Sequence, residues 1–350
     1  MSTRPPRPCA TTRYTAPQGT LALRQAIVGK FQRENGLAYS VDEITVGNGA
    51  KQVIFNTFMA TLEAGDEVII PAPYWVSYSD IVTLNGGSPQ VIPCGIEAGF
   101  KLTAEALQGA LTQNSRWLIL NSPSNPSGAI YTEAELQALG KVLEDFPRVL
   151  VMSDEIYEHV LLADQPFVSF GNACPQLRER TLLINGVAKA YAMTGWRIGY
   201  AAGPKALIAA ISKIQSQSTS GASAISQEAS RAALEGPQDF VSRSAAEYAE
   251  RGRVLVEGLS QCEGLRLSAP AGAFYAFPEC SALFGRVTPE GRVISDDVEL
   301  SSYLLNHAGV AVVPGLAFGL PGYFRLSFAT SREKIEKAVV NIREALSALR

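Results

Sequence analysis

Histidine and cysteine are both scarce in this chain of 350 residues. The two histidines, His159 and His307, are too few for a histidine-rich metal site. The five cysteines are an odd number and are scattered without a C-x-x-C pair, which favours reduced thiols over a disulfide framework. Demanding chemistry must therefore come from Lys, Asp, Tyr and Arg side chains or from an organic cofactor.

An excess of charge and long apolar runs are also lacking. The 30 Lys and Arg residues nearly balance the 33 Asp and Glu residues, so nothing attracts the chain generally to nucleic acid or to an anionic membrane. No run reaches the roughly 18 apolar residues of a membrane-spanning helix. The first ten residues lack the apolar segment of a secretory signal. We expect a soluble, cytoplasmic protein that has no nucleic-acid or membrane partner.

Strand-like and helical segments alternate between residues 67 and 203. The predicted strands are Glu67–Pro71, Gln90–Pro93, Trp117–Asn121, Val149–Ser153, Thr181–Asn185 and Ile198–Ala202. Their continuous apolar runs are typical of strands buried on both faces of a mostly parallel sheet. Helical runs lie between them, such as Thr132–Glu144 with Thr132 as its N-cap. The alternation predicts an α/β fold that binds ligands at the carboxyl ends of its strands.

The pattern changes after about Pro237, where a long helical stretch, Asp239–Ser260, begins. Short predicted strands and a last helix follow it, at Leu265–Ser268, Gly272–Phe277, Val310–Pro314, Tyr323–Phe328 and Arg332–Leu349. This arrangement predicts a smaller α+β domain. We therefore expect an irregular segment at residues 1–12, a large domain at 13–238 and a small domain at 239–350.

Lys189 and Arg197 lie in the most informative segment, Asn185–Gly199, which follows an apolar strand. An ammonium in that position is partly desolvated, so its pKa falls and it can form a Schiff base with a carbonyl. The glycines around Arg197 let the backbone approach a ligand closely. A solvated lysine at a strand end is the alternative.

Acidic, phenolic and amide side chains follow two other predicted strands. Asp154 comes directly after Val149–Ser153, where a buried carboxylate holds a pyridine nitrogen protonated or, alternatively, caps the next helix. Tyr157 is placed to donate to a ring oxygen. Asn125 lies in the turn Asn121–Gly128, which is either a plain loop or a contact to a ring hydroxyl or carboxylate.

Gly49, Ala50 and Lys51 precede the amphipathic run Gln52–Leu62. Small residues at a helix start expose backbone N–H groups, which form a phosphate site. The segment lacks the P-loop pattern, so binding of a nucleoside triphosphate is disfavoured.

Trp75 and Arg325 complete the set. Trp75 either stacks on a planar ligand or packs in the core. Arg325 stands in an otherwise apolar strand, where it grips a substrate carboxylate or forms a structural salt bridge. Each residue alone favours its structural interpretation, but together they are the components of a pyridoxal-phosphate site.

The motifs at Asn121–Gly128 and Lys189–Gly199 resemble those of the class I aminotransferases of pyridoxal-phosphate fold type I, and within them the bacterial aspartate aminotransferases of subgroup Iγ. The similarity runs from about Arg13 to the C-terminus. It implies a mostly parallel seven-stranded sheet in a large domain that binds pyridoxal 5'-phosphate, a smaller α+β domain and a homodimer.

The resemblance also implies roles for single residues. Lys189 would hold the cofactor covalently and move the substrate Cα proton, and Asp154 would pair with the pyridinium nitrogen. The other implied cofactor contacts are Tyr157 and Asn125 at the ring oxygen, Trp75 stacked on the ring, and Gly49, Ala50, Lys51, Arg197 and the neighbouring subunit's Tyr14 around the phosphate. Arg325 would grip the substrate α-carboxylate and Lys51 its distal carboxylate, with Trp75 and Asn125 also touching the substrate.

The N-terminal region of the chain differs from the pattern of the family. Relatives carry a further segment before the Tyr14 region, including a Gly-Glu-Pro-Asp-like stretch that covers the substrate, and Met1–Ala10 bears no likeness to it. We expect the chain to be shortened there, without the substrate cover and some acidic-substrate contacts.

The predicted function is transfer of the amino group of L-aspartate to 2-oxoglutarate by a ping-pong mechanism, with prephenate or glutamate as further substrates. Alternatives on the same scaffold are a carbon–sulfur lyase or an alanine-type aminotransferase. A truncated paralogue that binds the cofactor with little activity is the non-catalytic alternative, which the intact Lys189, Asp154, Tyr157 and Arg325 disfavour.

Overall fold

The computed structural model describes residues 13–350, so the predicted irregular segment 1–12 lies outside the described part. The α-helices are α1 Leu21–Lys30, α2 Ala50–Thr61, α3 Ser77–Leu84, α4 Ala104–Ala110, α5 Glu133–Glu144, α6 Phe170–Ala173, α7 Lys205–Ser218, α8 Ala224–Glu235, α9 Asp239–Leu259, α10 Asp297–Tyr303 and α11 Arg332–Ser347. The strands are β1 Ile44–Gly47, β2 Glu67–Ala72, β3 Ser88–Pro93, β4 Ser115–Asn121, β5 Leu150–Asp154, β6 Thr181–Gly186, β7 Gly199–Ala202, β8 Tyr275–Ala276, β9 Val313–Pro314 and β10 Phe324–Ser327.

Seven strands form the main sheet, in the order β1-β7-β6-β5-β4-β2-β3. All neighbouring pairs are parallel except those of β7, which runs antiparallel to β6 and β1. Residues 117–120 of β4 are all buried, because helices cover both faces of the sheet. Leu118 belongs to one apolar core and Ile119 to the core on the opposite face, as the alternation of side chains along a strand requires. The predicted mostly parallel seven-stranded sheet is confirmed.

A second, antiparallel sheet has three short strands, in the order β8-β10-β9. Together with α9, α10 and α11 it encloses its own apolar core, to which Leu255, Leu300 and Ile342 contribute. The predicted strand Leu265–Ser268 is wrong, since only Arg266 forms an isolated bridge, to Glu279. The other predicted strands in this region are too long because much of their extended backbone has no neighbouring strand to pair with. The domain boundary at residue 239 stays a prediction.

The main sheet also differs from the prediction at two points. The strand β1 was not predicted, because four residues are too short to give a clear alternation of apolar and polar side chains. Asp154 is the last residue of β5, and residues 156–159 form a turn, so the alternative of a helix cap is wrong. At α5 the prediction holds, with Thr132 as N-cap in a capping box with Glu135.

Cysteine chemistry and membrane insertion can be examined within residues 13–350. Cys94, Cys174, Cys262 and Cys280 are buried free thiols. None of the helices in this range combines the length and apolar character that a bilayer crossing requires.

Candidate active site

A cavity of about 280 Å³ opens at the carboxyl ends of β4 and β5, beside the start of α2. This is the edge at which open parallel sheets bind ligands. Its lining consists of Ala50, Trp75, Tyr78, Asn121, Asn125, Asp154, Ile156, Tyr157, Lys189, Tyr275 and Arg325. The structure therefore brings most of the predicted site residues together from segments that are far apart in sequence.

Asp154 lies deep in this cavity, where it pairs in register with Asn121 of the neighbouring strand. Its carboxylate accepts hydrogen bonds from the Tyr78 hydroxyl at 2.6 Å and from the Ile156 N–H at 3.3 Å. Burial raises the pKa of Asp154 to about 6, although the Tyr78 and Ile156 hydrogen bonds and the charge of Lys189 oppose the shift. Among residues 13–350, no Lys, Arg or His forms an ion pair with it. The carboxylate is thus prepared to accept a cationic donor from a ligand.

Lys189 follows β6 after a turn of two residues and is half-buried. Its Nζ lies 5.4 Å from the centroid of the Tyr157 ring and 5.6 Å from that of Phe274. Burial lowers the pKa of Lys189, and the positive charges of Arg325 and Arg197 lower it further, while Asp154 opposes them. More of the amine is therefore neutral and nucleophilic near pH 7 than in a solvated lysine.

Arg325 extends from β10 into the opposite wall of the cavity. Its guanidinium carbon lies 4.6 Å from the ring centroid of Tyr275 and 4.9 Å from that of Phe318. One terminal nitrogen donates to Asn125 Oδ1 at 2.9 Å. The buried Nε has no hydrogen-bond partner among the described residues. The remaining edge of the guanidinium suits a carboxylate.

The backbone at the start of α2 forms a cradle next to two glycines, Gly49 and Gly199. Gly49 precedes the helix with φ of 86°, and a Cβ there would overlap the Arg197 guanidinium. A Cβ on Gly199 would overlap the backbone of Ala50. Gly199 pairs in register with a glycine on each side, Gly47 of β1 and Gly186 of β6. The first N–H groups of an α-helix have no partner within the helix, so this cradle with its arginine suits a phosphate.

The half-buried Trp75 lines the cavity, and the exposed Lys51 lies beside it. The Lys51 Nζ is 4.8 Å from the ring centroid of Trp75, and Trp75 contacts Tyr78 edge to face. Tyr14 is not brought to the site of its own chain. It is fully exposed and lines a separate cavity with Thr15 and residues 221–225.

Three polar residues of the site were missed by sequence reasoning. Asn121 ends β4, donates to the backbone oxygen of Asp154 at 2.9 Å and accepts from the Asn125 N–H at 2.8 Å. Asn121 is also a polar residue at the carboxyl end of a strand, so the argument that singled out Asp154 could have found it. Tyr78 lies three residues after Trp75, in the first turn of α3. Tyr275 stands in an uninterrupted run of buried apolar residues, a pattern that does not distinguish a cavity wall from a core.

Glu158 forms a second buried charge centre behind the cavity, one residue after Tyr157. It accepts hydrogen bonds from Lys30 Nζ, from Asn35 Nδ2 at 2.9 Å and from Asn185 Nδ2 at 2.7 Å. Burial acts to raise its pKa, but the Lys30 charge and these hydrogen bonds outweigh burial, so the pKa is lowered. Glu158 thus ties the turn after β5 to α1 through Lys30, and to β6, the strand that precedes the catalytic lysine candidate, through Asn185.

The sequence model of the family described as aminotransferase class I and II matches residues 9–342. This chain belongs to that family. It is similar to the aspartate aminotransferase of Rhizobium meliloti strain 1021, with 52% identity over 338 residues that cover 97% of this chain and 82% of the relative. It is also similar to the probable aspartate/prephenate aminotransferase of Rickettsia felis, with 50% identity, 97% of this chain and 83% of the relative.

Solved structures of other aminotransferases share the fold. The crystal structure of the aspartate aminotransferase from Rhizobium meliloti has a TM-score of 0.95 and 51% identity, covering 97% of this chain and 85% of that one. The aspartate aminotransferase from Thermus thermophilus with maleate has a TM-score of 0.86 and 41% identity, covering 96% and 84%. The two sheets described above are therefore those of the aminotransferase fold.

Aminotransferases of this family depend on pyridoxal 5'-phosphate. The cavity fits this cofactor on independent grounds. It offers an amine of lowered pKa, a buried carboxylate without an ionic partner, and a glycine cradle that any Cβ would fill. The expected cofactor and enzyme class of this aminotransferase are confirmed.

Proposed function

We propose that this enzyme transfers the amino group of L-aspartate to 2-oxoglutarate by a ping-pong mechanism. The observation that carries the proposal is the presence of two separate cations, Arg325 in the lining of the cavity and Lys51 beside Trp75 of that lining. A substrate with two carboxylates can engage both. The names of the relatives from Rhizobium meliloti and Thermus thermophilus, the second with the dicarboxylate maleate, support this choice.

Pyridoxal 5'-phosphate, when bound, supplies an electron sink for the bond to the substrate Cα hydrogen. We assign its binding to side chains and backbone groups of the cavity. Lys189 attaches it, Asp154 faces the ring nitrogen, Tyr157 and Asn125 face the ring oxygen, Trp75 stacks on the ring, and Gly49, Ala50, Lys51 and Arg197 surround the phosphate.

Lys189 is the proposed proton carrier. With the cofactor bound, the Nζ of Lys189 would be the base that takes the proton from the substrate Cα and gives it back on the other side of the transferred nitrogen. Its lowered pKa, caused first by burial, supports the role because a base must be neutral to accept the proton. Asp154 keeps the proton on the ring nitrogen, which a neutral residue in the same place would not do.

Prephenate is a second candidate substrate. It also carries two carboxylates, and relatives from Rickettsia felis and Cereibacter sphaeroides are named aspartate/prephenate aminotransferases. Lys51 disfavours the alanine-type alternative, because alanine has no second carboxylate for it. The complete set of Lys189, Asp154 and Arg325 in one cavity disfavours a paralogue without activity.

We further propose a cytoplasmic homodimer in amino-acid biosynthesis, in which Tyr14 reaches the phosphate site of the neighbouring subunit. Its full exposure supports this, together with the anchoring of the residues that follow. Gln227 Oε1 accepts from the Thr20 N–H at 2.7 Å, and Gln227 Nε2 donates to Thr15 at 2.9 Å. The four described free thiols support a reducing compartment.

An absorbance spectrum of the purified protein tests the proposal. We expect a band of bound pyridoxal 5'-phosphate that L-aspartate converts to the pyridoxamine form and that 2-oxoglutarate restores. L-alanine at the same concentration is the control and should convert it far less. Absence of the band, or release of pyruvate from a sulfur amino acid without conversion, would overturn the proposal in favour of the inert paralogue or the lyase.

A further inference from the structure

Tyr275 occupies a position in the cavity to which the family resemblance assigns no role. It lies on β8, is buried, and stands between Tyr157 and Arg325. Its hydroxyl oxygen is 2.9 Å from that of Tyr157, and the two rings meet edge to face at 5.9 Å. Its ring face lies 4.6 Å from the guanidinium carbon of Arg325. One side chain therefore contacts a proposed cofactor residue and a proposed substrate residue.

We propose that Tyr275 is a positioning residue with two separable parts: its hydroxyl orients the hydroxyl of Tyr157, and its ring holds the guanidinium of Arg325. The proposal rests on the proposed function, because it takes Tyr157 to face the cofactor and Arg325 to face the substrate.

The hydroxyl part follows from counting protons. At 2.9 Å the two hydroxyls share one hydrogen bond, so one of them donates and the other accepts. When Tyr157 directs its own proton into the cavity, the donor to its oxygen must be Tyr275. Such a chain polarises the second hydrogen bond and makes Tyr157 a stronger donor. Burial raises the pKa of both tyrosines, so the pair acts by orientation and not by ionisation.

Other titratable groups also face this pair and remain unchanged when the Tyr275 hydroxyl is removed. Those that influence Tyr157 or Tyr275 are Asp154, Lys189, Arg325 and Tyr248. A change seen on removal of one hydroxyl therefore reports on the hydroxyl pair.

The ring part follows from the few polar contacts of Arg325. Asn125 fixes one terminal nitrogen, and Nε has no partner among residues 13–350. The faces of Tyr275 and Phe318 hold the rest of the planar group through cation–π contacts. Loss of the Tyr275 ring leaves the guanidinium free to turn on one side, which costs affinity for a carboxylate.

Two variants of the cofactor-loaded enzyme separate the parts: Tyr275→Phe removes only the hydroxyl, and Tyr275→Leu removes the ring as well. Tyr303→Phe is the matched control, since this buried tyrosine donates to the Ala345 backbone oxygen and is not among the residues that line the cavity. The measurements are the pH midpoint of the cofactor absorbance and the affinity for maleate.

We expect Tyr275→Phe to raise the pH midpoint by about 0.5–1 unit, the effect of one hydrogen bond, and to keep the affinity for maleate. The midpoint rises because a weaker hydrogen-bond donor at the ring oxygen leaves more negative charge on that oxygen. This charge would hold the proton on the nearby Lys189 nitrogen that attaches the cofactor. Tyr275→Leu should also weaken maleate binding by about 3- to 30-fold. Tyr303→Phe should change neither quantity.

Tyr157→Phe distinguishes failure of this inference from failure of the proposed function. If it raises the midpoint while Tyr275→Phe does not, the hydroxyl part is wrong and the proposed site stands. If Tyr157→Phe has no effect, the proposed place of Tyr157 is itself wrong. Equal maleate affinity of Tyr275→Leu and the parent would overturn the ring part.

Discussion

Asp154 ends β5 and Glu158 lies four residues later in the following turn. Both carboxylates are buried, yet their pKa values are shifted in opposite directions. Glu158 receives the ammonium of Lys30 and two amide donors, so its pKa is lowered. Asp154 receives one phenol and one backbone N–H, and burial raises its pKa to about 6. Glu158 thus has an ionic partner within the chain, whereas Asp154 has none among residues 13–350. A buried charge without an ionic partner at a strand end therefore indicates a binding site more strongly than a buried ion pair does.

The largest effect is expected from Lys189, whose charge acts on the carboxylate of Asp154. Lys189→Ala should lower kcat by about 10⁴-fold or more, because it removes both the covalent attachment point and the proton carrier. Borohydride reduction of the parent followed by peptide mapping checks the assignment. Cofactor found on another lysine would refute it.

The ion-paired carboxylate of Glu158 should matter for the stability of the fold. Lys30→Met removes the buried ammonium from Glu158, leaving only the His159 Nδ1 at 3.7 Å, and should lower the free energy of unfolding by about 3–5 kcal/mol. The double variant Lys30→Met with Glu158→Gln should recover much of this loss, because no unpaired charge remains. Urea unfolding at pH 7 measures both, and a double variant no more stable than Lys30→Met would contradict the ion-pair explanation.

The carboxylate of Asp154, which has no ionic partner among residues 13–350, should matter for turnover. Asp154→Asn should keep bound cofactor but lower kcat by at least about 10²–10³-fold, the scale of one preorganised electrostatic contact. Steady-state kinetics and the cofactor absorbance check the two parts. Turnover near that of the parent would return Asp154 to a purely structural role.

The two substrate cations give a smaller and more selective effect. Lys51→Ser should lower kcat/KM for L-aspartate by about 10- to 100-fold, the value of one charge-assisted hydrogen bond, and hardly change it for L-alanine. Arg325→Ala should lower it for both amino acids. Equal losses for aspartate and alanine in the Lys51 variant would refute the division of roles.

The smallest effect is a pH dependence of stability after removal of the cofactor. A raised carboxyl pKa stabilises the fold fully below the ordinary value of 3.8, and this contribution is lost as the pH rises through about 6. Asp154→Asn should therefore lose less stability than the parent between pH 4 and pH 7 in urea unfolding. The variant is needed for the comparison, because burial also raises the pKa of Glu155 to about 7. Parallel curves for parent and variant would contradict the shift. The lowered pKa of Glu158 acts in the opposite sense, since its contribution is complete above the ordinary value of 4.5 and is lost as the pH falls through the lowered value.

The main sheet was predictable from sequence because its strands are apolar on both faces and separated by helices with clear caps, as at Thr132. The second sheet was less predictable. Its strands have two to four residues, and their pairing depends on neighbours that are distant in sequence, as for Phe324 with Pro314.

The site residues with unusual chemistry for their local pattern, Lys189, Asp154 and Arg325, could be found from sequence. Tyr275 and Tyr78 could not, because an aromatic residue in an apolar element has the same local pattern whether it faces a core or a cavity. Only the tertiary structure shows that the hydroxyl of Tyr275 meets Tyr157 and that of Tyr78 meets Asp154.

The three glycines that pair across β1, β7 and β6 have a consequence for the evolution of new specificities. Gly199 has no room for a methyl group against Ala50, and Gly47 and Gly186 flank it in register. Laboratory selection for new amino donors should leave this row untouched, since any substitution at Gly199 removes the cradle itself. We expect adaptive substitutions instead at residues outside this row. The glycine row therefore limits where the substrate specificity of the enzyme can change by substitution.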